Sequence, residues 1–142
     1  MALPGTTKGI DGAAIPYVIP VDEFGNTAGA ASGTSRIPSS AATNNATVAK
    51  ASAGRVTGFD AVNTTLAVIY LKFYNKATAP NPAADAALLM GVFALPANSA
   101  RNVTMGIAFP AGISYALVTG AADADNTAVT AGAVIGLNVS YA

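Results

Sequence analysis

The side chains best suited to hold a metal ion lie in the segment Asp-Ala-Asp-Asn-Thr at positions 123–127. Asp123 and Asp125 are spaced as at the start of a calcium-binding loop, where alternate oxygen-bearing residues coordinate the ion. Such a loop also needs a glycine at its sixth position and a glutamate at its twelfth, and here these positions hold Ala128 and Val134. The segment therefore favours a solvated turn, with a calcium site as the minor alternative, and we expect no cofactor.

Groups for acid–base or nucleophilic catalysis are scarce in this sequence. The chain has no histidine and no cysteine, which excludes imidazole and thiolate ligands, a cysteine nucleophile and a Ser-His-Asp relay. Asp22 and Glu23 are adjacent carboxylates, but successive residues of an extended chain point to opposite sides, so they do not form an acid–base pair. We predict that the protein is not an enzyme.

Four tyrosines offer flat rings on which a sugar can stack, and they are Tyr70, Tyr74, Tyr115 and Tyr141. Tyrosine is more often half buried in a strand or at a subunit interface, because its ring is apolar while its hydroxyl can reach water. The sugar-binding hypothesis is therefore the alternative one. It describes a receptor-binding or carbohydrate-binding head of a fibre that uses Tyr70, Tyr74 or the loop 121–128.

The chain is poor in charge. Seven basic and seven acidic residues cancel, and only 10% of all residues are charged, against about 25% in typical soluble domains. No basic stripe is available to follow a phosphate backbone, so we do not expect nucleic acid as a partner. Because a net charge near zero favours association, we infer that other protein covers much of this surface.

The two longest apolar runs of the chain are not predicted to span a membrane. Residues 66–71 and 86–97 are both too short to cross a bilayer, and the second run contains Gly91 and Pro96. The first eight residues lack the basic region and apolar run of a secretory signal. We therefore expect no membrane partner and no secretory signal.

The elements that position these residues are strands, and the clearest strand pattern lies in residues 46–75. Ile69, Leu71 and Phe73 fall on one face of an extended chain, as in a half-buried strand. Turn residues at 52–54 and 62–66 divide the stretch into three strands. The opposite face of the last strand, which we predict to meet water or a polar partner, carries Val68, Tyr70, Lys72 and Tyr74.

Four further strands are predicted downstream, at residues 88–95, 103–109, 114–119 and 134–141. The first of them is apolar on both faces, which fits a central strand of a sandwich, with a short buried helix as the alternative. The last of them follows a polar loop, and its period of two places on one face Ile135, Leu137, Val139 and Tyr141. Seven or eight short strands without a convincing helix are typical of an all-β fold. The sequence therefore predicts an antiparallel β-sandwich, jelly-roll-like, over residues 45–142.

Residues 1–44 are predicted to form an extended N-terminal arm, rich in small and polar residues, with one apolar patch at 15–21. Pro16 and Pro20 forbid a helix there and leave an edge strand or a polyproline-like segment. Ordering a residue costs roughly 1–2 kcal/mol, so an arm with so little to bury needs a partner to hold it. The arm is either a leader without a role or a docking element that binds its partner through Ile15, Tyr17, Val18, Ile19 and Val21.

The most specific stretch of the chain is Leu-Lys-Phe-Tyr-Asn-Lys-Ala-Thr-Ala-Pro at positions 71–80, and the runs 39–56 and 60–63 extend its pattern. These stretches resemble a group of small virion proteins of tailed bacteriophages. A weaker likeness continues to the final tyrosine, so that about residues 39–142 are covered and the arm before them is not. The proteins of this group are capsid-associated or decoration proteins.

The resemblance implies a β-sandwich that assembles on a phage head, commonly as a homotrimer above the places where capsomers meet. We accordingly expect a structural virion protein, a capsid decoration or cement protein that stabilises the head by bridging capsid subunits. Its expected partner is the major capsid protein, and its expected location is the capsid surface of the virion.

Overall fold

The fold consists of eight β-strands and one short turn of 3-10 helix. The computed structural model describes residues 32–142, and all structural statements refer to that range. The strands are β1 (Gly33–Ser39), β2 (Thr47–Lys50), β3 (Gly54–Asn63), β4 (Ile69–Asn75), β5 (Leu89–Leu95), β6 (Ser99–Phe109), β7 (Ile113–Val118) and β8 (Val134–Tyr141), and the 3-10 turn is Ala86–Leu88. In this range no helix has the length and apolar character needed to cross a membrane.

The strands form two four-stranded antiparallel sheets that pack face to face. Sheet 1 has the order β1-β8-β3-β6 and sheet 2 the order β2-β7-β4-β5. β1 pairs with β8, β2 with β7, β3 with β6 and β4 with β5. These are the pairs of one long hairpin rolled into two sheets, which is the arrangement of a jelly roll. The predicted all-β, jelly-roll-like sandwich is confirmed.

The core lies between the two sheets and is centred on Phe73 of β4. Its ring centroid lies 5.8 Å from that of Phe93, 6.0 Å from Tyr115 and 6.3 Å from Phe109. Aromatic pairs at such distances contribute about 0.5–1.5 kcal/mol beyond the area they bury. Ile69 and Leu71 are also buried, so the predicted inner face of this strand is confirmed.

The sandwich begins earlier in the chain than the predicted boundary between residues 44 and 45. β1 lies within the stretch assigned to the arm, and it pairs with β8 from Gly33 opposite Tyr141 to Ser39 opposite Ile135. The strand was missed because its residues, Gly-Thr-Ser-Arg-Ile-Pro-Ser, include one apolar side chain besides a proline. An edge strand can be this polar because backbone hydrogen bonds to its single neighbour hold it.

The predicted apolar face of β8 is wrong at Ile135. Leu137 and Val139 are buried, but Ile135 is 40% exposed and Val134 takes the core position instead. Between Ile135 and Leu137, Gly136 has a φ of +59°, and the pairing of β8 with β3 shifts by one residue at this point. An extra residue in one strand exchanges the two faces of everything beyond it. Glycine is suited to this bulge because it has no side chain to oppose a positive φ.

Candidate functional site

The outer face of sheet 2 holds a buried ammonium group, that of Lys72 on β4. Lys72 is fully buried, and its Nζ donates to three backbone carbonyl oxygens of the loop between β7 and β8. They belong to Ala122 at 2.5 Å, Asp125 at 3.1 Å and Asp123 at 3.3 Å. The predicted polar partner of this face is therefore a loop of the same chain, which folds over the sheet.

Burial and charge act on Lys72 in opposite directions. Removal from water disfavours the charged form and lowers the pKa of its ammonium, while the carboxylates of Asp125 and Asp123 raise it, and burial is the larger effect. Three carbonyl acceptors match the three N–H donors of an ammonium group. The positive charge that this loop binds is therefore that of the Lys72 side chain, which belongs to β4 of sheet 2.

The carboxylate of Asp125 is used inside the loop. It accepts hydrogen bonds from the backbone N–H of Thr127 at 3.0 Å, the hydroxyl of Thr127 at 3.2 Å and the backbone N–H of Gly120 at 3.2 Å. The bonds from Thr127 are the main reason that the pKa of Asp125 lies below its ordinary value. Among residues 32–142 no cluster of three or more histidine, cysteine, aspartate or glutamate side chains is placed to hold a metal ion.

Tyr74 lies two residues beyond Lys72 on the same face and is also fully buried. Its hydroxyl has no hydrogen-bond partner, and no other buried side-chain nitrogen or oxygen of the described residues lacks one. Burial, with the nearby carboxylates of Asp85 and Asp123, raises the pKa of Tyr74 to about 12. Asp85 itself is held by an ion pair with Lys76 at 2.6 Å.

The four tyrosines considered for sugar stacking do not form one surface. Tyr74 and Tyr115 are fully buried, and the hydroxyl of Tyr115 shares a hydrogen bond of 2.8 Å with that of Ser35 on β1. Tyr70 and Tyr141 are half buried and lie in different sheets. Tyr70 and the exposed loop 121–128 are the parts of the sugar-binding hypothesis that remain accessible.

Exposed apolar side chains of the described residues lie at three places, one of which is the pair Val62 and Ile135 on the outer face of sheet 1. On the outer face of β5, Met90 is 42% and Val92 is 36% exposed, and Leu88 just before the strand is 39% exposed. At the tip of the turn between β3 and β4, Leu66 is 87% exposed. The prediction of a central strand at residues 88–95 is wrong, because β5 is an edge strand of sheet 2 and its outer face is partly exposed. The pattern is apolar on both faces and does not show which face is covered.

An apolar pocket of about 210 Å³ lies beside Leu66. It opens at the end of the sandwich, where the turn after β3 meets the loop before β8, and its lining includes Thr65, Val68, Ile69, Thr119, Val129 and Ala133. A protruding leucine next to an apolar pocket is typical of a surface that binds protein, because removing both apolar surfaces from water lowers the free energy.

The predicted partner-binding residues of the arm, Ile15, Tyr17, Val18, Ile19 and Val21, lie outside the described residues, as do Asp22 and Glu23. The structure therefore leaves the arm's docking role as a prediction.

Comparison with known proteins gave no identification: no family model, no curated protein and no solved structure matches this chain.

Proposed function

We propose that this chain is a structural virion protein of a tailed bacteriophage, most specifically a capsid decoration or cement protein. Its partner is the major capsid protein, and its place is the outer surface of the head. Support comes from the resemblance of residues 39–142 to small phage virion proteins, and from a jelly-roll fold, which viral capsid domains also use. Fold alone does not define function, so the proposal depends on the surface.

The observation that carries the proposal is an apolar, weakly charged surface. Leu66, Met90 and Val92 are exposed on a domain whose chain has only 10% charged residues. Exposed apolar patches of this kind mark sites of protein contact. Fully burying an exposed apolar side chain of this size contributes about 1.5–3 kcal/mol, and association itself costs roughly 4–15 kcal/mol, so attachment needs several such contacts from each copy.

The mechanism is burial across a boundary between shell subunits. A copy that contacts two subunits at once raises the free energy needed to separate them, which stabilises the head against the pressure of packaged DNA. If copies associate as a trimer around a symmetry axis, the second and third contacts form at high effective concentration. The gain in avidity comes without any new type of contact.

A receptor-binding or carbohydrate-binding head is the second candidate, because lectin domains also use jelly rolls and the loop 121–128 is largely exposed. The burial of Tyr74 and Tyr115 removes two of its four stacking residues. The decoration hypothesis therefore agrees better with the surface.

Cosedimentation with capsids tests the proposal. Full-length protein is mixed with purified heads that lack it, alongside the variant Leu66→Asp and the control Thr104→Asp, which changes an exposed residue of β6. We expect saturable binding by the wild type and the control, and at least about tenfold weaker binding by Leu66→Asp, equivalent to about 1.4 kcal/mol. Absence of wild-type binding to heads, together with binding to a glycan array, would favour the second candidate.

A further inference from the structure

The flank formed by β5 and β6 is an incompletely covered part of the core. Phe93 on β5, with Met105 and Ile107 on β6, belongs to the interior packing but is only partly buried. Within residues 32–142 each of the two strands has a partner on one side, since β5 pairs with β4 and β6 pairs with β3. Arg101 of β6 donates to the carbonyl oxygen of Ala94 on β5 and closes one end of the gap. The rest of the flank is open.

β5 has few of the features that protect an edge strand, and the one it has is a bulge at Met90, where its pairing with β4 shifts by one residue. Its seven residues, Leu-Met-Gly-Val-Phe-Ala-Leu, include no charge and no proline, which are the usual means of preventing another strand from pairing with an edge. Its outer face adds the exposed side chains of Met90 and Val92. An uncharged, apolar edge of this kind is a template for an additional strand.

A segment with a matching pattern lies in the 31 residues that precede the described range. We propose that residues 15–21 of a second copy of this chain pair with β5 as an added edge strand. The segment and β5 are each seven residues long. In an extended chain every second side chain shares a face, and the face that would cover Phe93 and Met105 is entirely apolar, consisting of Ile15, Tyr17, Ile19 and Val21.

The two prolines of the segment fit this role. Pro16 and Pro20 are four residues apart, so in a strand their backbone nitrogens face the same side. When that side is directed away from β5, neither proline removes a hydrogen bond from the pairing. The prolines then protect the new edge, because they offer no N–H to a further strand. Their rings, with Val18 between them, lie on the outer face beside Met90 and Val92.

A second copy, and not the same chain, is the donor for two reasons. The tether, residues 22–32, reaches at most roughly 36–40 Å, and it starts at β1, at the flank opposite β5. A neighbouring copy can present its β5 directly to this tether, whereas the chain's own β5 requires the tether to pass around its own sandwich. The low charge of the chain also favours association between copies. This inference concerns contacts between copies and does not depend on attachment to a capsid.

Pairs of introduced cysteines test directly whether the strand added to β5 comes from a second copy, because the chain has no cysteine of its own. Val18→Cys is combined with Met90→Cys or with Val92→Cys in the full chain, and the oxidised proteins are compared on non-reducing gels. The control pair is Val18→Cys with Thr104→Cys, on the outer face of β6. We expect disulfide-linked dimers and higher species for at least one of the β5 pairs and not for the control. A disulfide within one chain, or no disulfide from either β5 pair, would overturn the proposal.

Light scattering on the full chain gives an independent readout. The double variant Met90→Lys with Val92→Lys places two charges beside the edge, and Thr104→Lys with Ala108→Lys is the matched control on β6. We expect the β5 variant to need about tenfold higher concentration for the same degree of association, equivalent to about 1.4 kcal/mol. Unchanged association of the β5 variant, or a monomeric wild type at all concentrations, would contradict strand exchange.

Discussion

At the scale of single residues, Lys72 and Tyr74 show two ways of burying a polar group on the same face of β4. Lys72 satisfies its three donors with backbone carbonyls, whereas the hydroxyl of Tyr74 has no partner. An unsatisfied buried polar group costs about 1–3 kcal/mol, and a satisfied one contributes about 1 kcal/mol. Opposite effects on stability follow when the two groups are removed.

We predict that Lys72→Met lowers the free energy of unfolding by about 2 kcal/mol or more, because three carbonyl oxygens lose their donor. The loop carrying Asp123 and Asp125 should also become sensitive to limited proteolysis. Urea denaturation measures the first effect, and Lys76→Met is the control, since its ion pair with Asp85 is partly exposed and should contribute about 1 kcal/mol or less. Equal losses from the two variants would show that the carbonyl contacts do not hold the loop.

Tyr74 is predicted to make stability depend on alkaline pH. Its folded pKa of about 12 lies above the ordinary value of 10.0, so the folded state keeps its proton longer than the unfolded state does. The free energy of unfolding is therefore independent of this proton below pH 10 and falls as pH rises from 10 towards 12. Tyr74→Phe should reduce this loss, part of which remains because burial also raises the pKa of Tyr115, and at pH 7 it should raise the free energy of unfolding by about 1 kcal/mol.

Tyr115→Phe is the matched control for that variant, because the hydroxyl it removes is bonded to Ser35. It should lower the free energy of unfolding at pH 7 by about 1 kcal/mol. Denaturant titrations at pH 7 and between pH 10 and 12 measure both variants. A loss of stability from Tyr74→Phe at pH 7 would indicate that its hydroxyl has a partner.

At the scale of elements, β1 determines how many N-terminal residues can be deleted without destabilising the sandwich. Deletion of residues 1–31 leaves all eight strands, so we predict a folded sandwich. Deletion of residues 1–40 also removes β1, which exposes the edge of β8 and removes Ser40, whose hydroxyl accepts from the backbone N–H of Val134 and donates to the carbonyl of Thr130. Thermal unfolding of both truncations checks this. We expect the shorter chain to unfold at a clearly lower temperature, and identical midpoints would mean that β1 adds nothing to the sheet.

How much the sequence predicts also differs between elements. β4 and β6 were identified because their apolar residues alternate, and that pattern depends on side-chain type alone. β1 was missed because its backbone, not its side chains, joins it to β8. The contact of Lys72 with three carbonyl oxygens could not be predicted for the same reason, since every residue has a carbonyl and its direction depends on the folded loop. The predicted face of Ile135 was wrong because the bulge at Gly136 depends on the pairing of β8 with β3, which the pattern of side-chain types does not show.

At the scale of the whole molecule, we propose that this small jelly roll acts through surfaces that other protein covers. Its sandwich presents exposed apolar side chains at β5 and Leu66, and the arm that precedes it is proposed to link copies through the open edge of β5. The low charge of the chain favours both contacts, because few charged side chains have to be removed from water when the surface is buried. Together these features form the basis of the proposed role on a phage head.

The most direct test of that role is the position of the protein on the particle. Antibodies raised against residues 32–142 would be used for immunogold labelling of intact virions, with particles lacking the protein as the control. Label distributed over the head, and absent from the control, is the result that the decoration hypothesis predicts. Label confined to the tail tip or to fibres would contradict it and would favour a receptor-binding head.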